Sequence, residues 1–199
     1  MLHNCYIALP TNYTTKLMKL KFIAAALTLF ILTACKHTVE TVKVDGKYTL
    51  DLPSFLNKTD DLNKAASLQY KNEMREFYVL VMDEPKENFH EVLNEGGLDY
   101  ERDLNGYSEI LAKDIAESSA IEITPKLQKT TINNLNARLL NFEGVVNGVN
   151  VYWKIAYIEG KNRYYQILTW TLPEKKEKNA EAMDAIINSF KETDKTKSH

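Results

Sequence analysis

The sequence predicts an α+β domain: an antiparallel β-sheet flanked by helices. Three observations predict it. Two blocks of strand-like side-chain pattern bracket a section of helical spacing. The strands of the second block are joined by turns so tight that neighbours must run antiparallel. A last amphipathic stretch then returns to helical spacing, which places helices against a sheet in layers.

The elements follow in order. Lys47 to Pro53, "KYTLDLP", sets Tyr48, Leu50 and Leu52 against Lys47, Thr49 and Asp51, the alternation of a half-buried strand. "ASLQYKN" and "REFYVLVMD" flank a short turn near Asn72 to Met74, and the run Phe77 to Met82 has the length and side chains of a buried strand. "KENFHEVL" and "YERDLNGYSEILAKDIAESS" carry helical spacing, with Gly96-Gly97 as the break between them. In the second, Leu104, Tyr107, Leu111, Ile115 and Ser118 share one face, leaving Glu101, Asp103, Glu109, Asp114 and Glu117 on the other. Beyond Pro125 come four strands, "KLQKTTI", "LNARLLNFEGVV", "VNVYWKIAYI" and "RYYQILTWTL". Asn133-Asn134, Asn147-Gly148 and Glu159 to Asn162 supply the turns between them. Met183, Ile186, Ile187 and Phe190 then fall at i, i+3, i+4 and i+7, a closing helix with an apolar face.

Ahead of the domain, Lys19 and Lys21 precede an uncharged apolar run of 11 residues, Phe22 to Leu32, followed by the small residues Thr33 and Ala34. This is the order of a secretory signal, and the run is short of the roughly 20 residues a membrane-spanning helix needs. Leu32-Thr33-Ala34-Cys35 resembles the lipobox of bacterial lipoproteins. The resemblance implies cleavage before Cys35 and acylation of its thiol with diacylglycerol and palmitate, a lipid anchor in the membrane of the cell envelope. Lys36 is not the aspartate that retains such proteins in the inner membrane, so the expected address is the outer membrane, facing the periplasm. The first 17 residues lengthen the signal without improving it, and translation is expected to begin at Met18, in which case Cys5 is never made. The expected organisation is a signal peptide over 1–34, a lipidated polar tether over 35–45, a single domain over 46–191 and a polar tail over 192–199. The tether is expected to hold the domain roughly 20 Å from its anchor.

Charge is uneven along the chain. From Glu73 to Glu122 there are 14 acidic and 4 basic residues, net −10, whereas Ile123 to His199 carries 8 acidic and 12 basic, net +4. No basic stripe of the kind that nucleic-acid binding requires runs through the domain. The acidic helix face has two readings, a solvated surface or a field that steers a basic protein or divalent cation.

The candidates for chemistry have plain structural readings. Within the folded part His90 is the only histidine, since His37 lies on the tether and His199 ends the chain. A histidine metal site and a Ser-His-acid triad therefore lack partners. Asp60-Asp61 in "NKTDDLN" lack the spaced acids of a calcium loop and read as a turn with a helix cap. Glu91 with Glu95, and Asp99 with Asp103, read as solvated helix pairs at i, i+4. Among the aromatic residues Tyr152, Trp153, Tyr157, Tyr164, Tyr165 and Trp170, strand alternation sends Trp153, Ile155 and Tyr157 to one face and Tyr152, Lys154 and Ala156 to the other. About half the rings then fill a core, and the rest meet a helix, solvent or a stacked ligand. The only site residue expected is Cys35, with no catalytic, cofactor or metal residue.

"DGKYTLDLP", the long helix ahead of a meander, and "YYQILTWTLPEKKEKNAEAMDAIINSF" together resemble the PsbP-like (DcrB-like) fold over about Val44 to Lys191. The resemblance implies a PsbP-like αβα sandwich. Known members are mainly accessory and binding proteins, which implies an envelope binding or assembly module with a protein partner and no enzyme activity. The alternative is a small envelope enzyme, or a small-molecule or metal carrier, whose site is assembled from scattered residues.

Overall fold

The computed structural model describes residues 38–119 and 126–193. In chain order they form β1 (Val39–Val44), β2 (Tyr48–Pro53), β3 (Asn57–Lys58), β4 (Leu68–Asn72), a 3-10 turn (Glu73–Arg75) and β5 (Phe77–Pro85). Helices α1 (Lys86–Gly96) and α2 (Leu104–Ser118) follow, then β6 (Gln128–Ile132), β7 (Leu135–Val146), β8 (Val149–Glu159) and β9 (Arg163–Thr171). A second 3-10 turn (Pro173–Lys175), α3 (Lys176–Ser189) and β10 (Lys191–Glu192) end the described chain. Seven strands make one antiparallel sheet in the order β3-β4-β5-β9-β8-β7-β6, and β1-β2-β10 make a small second one.

Turn chemistry sets the meander as the sequence predicts. Asn133 and Asn134 have φ of 47° and 69°, and Asn147 and Gly148 have 51° and 81°. Two successive positive φ values give the tight turn whose twist matches that of the strands it joins. Gly97, at φ 58°, closes α1 in the left-handed conformation, with its own N–H and that of Leu98 bonded back to Asn94 and Leu93.

The large sheet is covered on both faces. Alternation along β8 divides its side chains between two cores, as expected. Tyr152, Ala156 and Ile158 join Tyr48 and Leu50 of β2, Phe77, Val79 and Val81 of β5, and Met183, Ile186, Ile187 and Phe190 of the α3 end. Ile155 and Tyr157 join Phe89 and Leu93 of α1, Leu104, Tyr107 and Ala112 of α2, and Leu140 of β7. Helices thus flank both faces of the antiparallel sheet.

Several expectations are corrected. The stretch read as a tether over 35–45 contains β1, which pairs with β2 from Val39↔Pro53 to Val44↔Tyr48. This is an edge strand with no fully buried side chain, so its apolar signal is weak and backbone hydrogen bonds hold it. The tail expected from residue 192 instead begins in a strand: Glu192 pairs with Tyr48 and accepts hydrogen bonds from Tyr165 Oη and Lys161 N, both at 3.0 Å. On α2, Leu104 and Tyr107 are buried, but they are joined by Gly106, Ser108, Ala112 and Ala116 rather than by Leu111, Ile115 and Ser118. The small residues let the helix approach the sheet, leaving Leu111 and Ile115 half-buried along the rim and Ser118 exposed. A Cβ at Gly106 would strike the Glu101 backbone carbonyl. Asp99 and Asp103 are not a pair within a helix: Asp103 is the N-cap of α2 and accepts from Asn105 N and Gly106 N, and Asp99 lies in the preceding loop.

Candidate binding surface

Cys35 and the whole of Leu32 to His37 lie outside the described residues, as do His199 and the acid Glu122. His90 sits on α1 with Nε2 3.1 Å from the Arg102 carbonyl, tying the helix to the loop before α2. No helix follows Asp60-Asp61, so the cap reading is corrected. Asp61 takes hydrogen bonds from Lys71 Nζ at 2.7 Å and Thr59 Oγ1 at 2.5 Å, which hold its exposed carboxyl below the usual range. Glu91 and Glu95 are exposed on α1, and Glu109, Asp114 and Glu117 on α2. Among the described residues, no group of three or more His, Cys, Asp and Glu side chains converges as a metal site would require.

Two constellations stand out, one polar with no signal in the sequence and one aromatic, in which alternation assigns Trp153 only to a face. The first gathers where β2 begins. Asp83 of β5, with its side chain only 2 % exposed, is clamped by Lys47 Nζ at 2.9 Å and by Arg163 Nε at 2.7 Å. Burial pushes its carboxyl up, but hydrogen bonds from Lys47 and Ser67 and the charges of Arg163 and Lys47 outweigh that, and the net shift is downward. Beside it, Glu159 takes hydrogen bonds from Lys86 Nζ and Asn136 Nδ2, each at 3.0 Å, and its carboxyl is likewise held low against the opposing effect of burial. Arg138 Nε reaches Asn105 Oδ1 at 3.1 Å, linking β7 to α2. These groups satisfy one another, as a buried polar network must. No sequence signal finds the cluster, because its members stand 36 and 80 residues apart.

The second constellation is an aromatic strip crossing four strands. In register, Tyr78 of β5 lies opposite Trp170 of β9, Trp170 opposite Trp153 of β8, and Trp153 opposite Phe142 of β7. Ring centroids follow at 5.2, 4.9 and 6.3 Å, with the first and last pairs stacked. Phe142 is buried, but Tyr78, Trp153 and Trp170 are only half-buried. The indole N–H of Trp153 is buried with no hydrogen-bond partner among the described residues. An indole N–H in that state ordinarily has a partner. Of the aromatic set singled out in the sequence, Tyr152, Tyr157, Tyr164 and Tyr165 are core, and the two tryptophans form this strip. Burial, with the Glu76 carboxylate accepting from Tyr78 Oη at 2.9 Å, pushes the Tyr78 hydroxyl up to about 12, so it stays neutral.

No family model matches the chain, and no curated protein matches it. Solved structures do. Over 81 % of this chain and 99 % of that one, the fold is similar to the solution structure of cyanobacterial PsbP (CyanoP) from Synechocystis sp. PCC 6803, at 10 % identity and a TM-score of 0.56. It is also similar to the crystal structure of the Saccharomyces cerevisiae Ran-binding protein Mog1p, at 13 % identity and a TM-score of 0.50, covering 78 % of this chain and 96 % of that one. At such identities the likeness concerns the fold alone. With its antiparallel sheet, its two cores and its helices on both faces, the domain is a PsbP-like α+β sandwich.

Proposed function

We propose that this protein is an envelope lipoprotein, acylated at Cys35 and held on the periplasmic side of the outer membrane, whose domain binds another protein as an accessory or assembly module and carries out no catalysis. The observation that carries the binding role is the strip Tyr78–Trp170–Trp153–Phe142, in which Tyr78, Trp170 and Trp153 are half-exposed and the Trp153 indole N–H has no partner among the described residues. Half-buried aromatic side chains supply large, rigid contact area, and tryptophan and tyrosine are enriched among residues that dominate binding energy. That Mog1p, of the same fold, is a Ran-binding protein supports a binding role for this architecture. The anchor is supported by Leu32-Thr33-Ala34-Cys35 at the end of a signal-like segment.

Crosslinking in intact cells followed by capture tests the binding role. Trp170→Ala is expected to lose the partner that the unaltered chain retains, while the purified variant still unfolds cooperatively. Retention of every partner by a folded Trp170→Ala variant would move the binding surface elsewhere. Fractionation tests the anchor. Cys35→Ser is expected to leave an uncleaved or soluble product, because acyl chains contribute about 0.8 kcal/mol per buried CH₂ to membrane attachment. Correctly cleaved Cys35→Ser protein that stays on the membrane would refute acylation.

A further inference from the structure

We propose that one end of the domain, carrying Val39, Met74, Val145 and Val149, rests in the lipid surface itself. The inference builds on the acylation of Cys35 and adds an orientation and a second, protein-borne contact with the bilayer.

Strand register defines the two ends. Phe77, Thr171, Tyr152 and Glu143 form one rung across β5, β9, β8 and β7, and Glu84, Tyr164 and Glu159 form another seven residues along β5. Beyond the first rung lie the 3-10 turn before β5 and the β7–β8 hairpin; beyond the other lie the start of α1 and the β8–β9 turn. The small sheet runs the same way. Lys47, just before β2, reaches Asp83 near the second rung, while Phe55, just past its end, stacks edge-on against Phe77 at 5.6 Å. Thr38 bonds to Ser54 through backbone (2.8 Å) and side chain (2.7 Å), so the described chain begins at the Phe77 end.

That is also where exposed apolar side chains collect. Six large hydrophobic residues are exposed among those described. Met74, 94 % exposed, stands on the 3-10 turn, Val39, 63 % exposed, opens β1, and Val145 and Val149 flank the β7–β8 hairpin. Only Val92 and Leu98 lie elsewhere, on α1 and in the loop after it. Scattered exposed hydrophobes need no explanation, but four gathered on the tips at one end do.

Chain length supplies the occupant. Only Lys36 and His37 separate Cys35 from Thr38, and the three residue steps between them reach no more than about 11 Å even fully extended. With β1 already paired from Val39, an acylated Cys35 leaves no slack to hold the domain clear of the bilayer. The end that meets the membrane is then the end bearing these tips. Arg75, next to Met74, lies over the Phe55 ring at 4.1 Å, and Lys71 is paired with Asp61 and Glu73, each at 2.7 Å. Acids Glu73 and Glu76 stand among them, so the contact is apolar insertion more than attraction to anionic lipid.

The test uses the full chain, expressed with Cys5→Ser and purified as its lipidated product, in vesicles of phosphatidylethanolamine and phosphatidylglycerol. Met74→Cys and Val149→Cys are each probed with a charged, water-soluble maleimide, with Glu95→Cys on α1 as the reference, and labelling is read at the position by mass spectrometry. The expected result is that positions 74 and 149 lose labelling in vesicles and regain it in detergent, whereas position 95 labels equally in both. Labelling of 74 and 149 in vesicles at the rate of 95 overturns the orientation, even where the same positions are shielded in native membranes, since a protein rather than lipid would then cover them. The same mass spectra report acylation of Cys35. Its absence defeats the anchor and the orientation together, whereas an acylated chain with freely labelled tips defeats the orientation alone.

Discussion

Phe190→Ala is expected to lower the unfolding free energy by about 3 to 5 kcal/mol, the usual cost of deleting a large buried aromatic side chain. Phe190 has no exposed surface, and its ring lies 4.9 Å from that of Tyr165 on β9 and 5.3 Å from that of Tyr48 on β2. It therefore joins three layers, the end of α3, the small sheet and the large sheet. Its carbonyl also accepts from Asn133 Nδ2 at 2.6 Å, which fastens the β6–β7 turn to the same point. A cavity there cannot collapse without moving two sheets, so the cost should fall in the upper part of the range. Thermal unfolding checks it: a domain of this size is expected to melt roughly 10 °C lower or more. An unchanged melting temperature would mean that the chain after α3 is peripheral to the fold.

Asp83→Asn is expected to cost about 3 kcal/mol at neutral pH, because it leaves Lys47 and Arg163 without their carboxylate in a largely enclosed site. The partners are 35 % and 23 % exposed, and water reaching them keeps the cost at the lower end of what broken buried ion pairs show. The pH dependence has a definite sign. The Asp83 carboxyl is held below its ordinary value when folded, so its contribution is complete above the ordinary aspartate range and is lost as pH falls through the lowered folded value. Denaturant unfolding from about pH 6 down to about pH 2 should therefore show the gap between the unaltered chain and Asp83→Asn closing only below the ordinary aspartate pKa of about 3.9. A constant gap across that range would mean that Asp83 acts by shape alone.

The legible part of the fold was the part encoded within a few residues. Strands β6 to β9 and their asparagine-rich turns, the break at Gly96-Gly97 and the closing apolar face of α3 all stand where spacing places them. The helical section was legible as helix, but its buried face was rotated by tertiary contact. Leu111 and Ile115 carry the larger apolar signal, yet Ala112 and Ala116 face the sheet because only small side chains permit the close approach. The half-exposed tryptophans show the same limit: alternation assigned Trp153 to a face but could not tell how far a helix covers that face.

By itself the sequence determined the class of fold, the succession of most elements and the apolar faces of the β6–β9 strands and of α3, because periods of 2 and 3.6 residues and the chemistry of tight turns are local properties of the chain. Tertiary structure alone decided the rest. Pairing of β5 with β9 joins segments some 80 residues apart and so brings Asp83 to Arg163 and Tyr78 to Trp170. Strand β1 exists because β2 offers it an edge, with only Val42 and Val44 packing partly against the core. The gathering of Val39, Met74, Val145 and Val149 at one end depends on how four separate segments stack in register. Each of these is set by hydrogen bonds and close packing between distant parts of the chain, and no periodicity within a segment encodes which distant strand will be its neighbour.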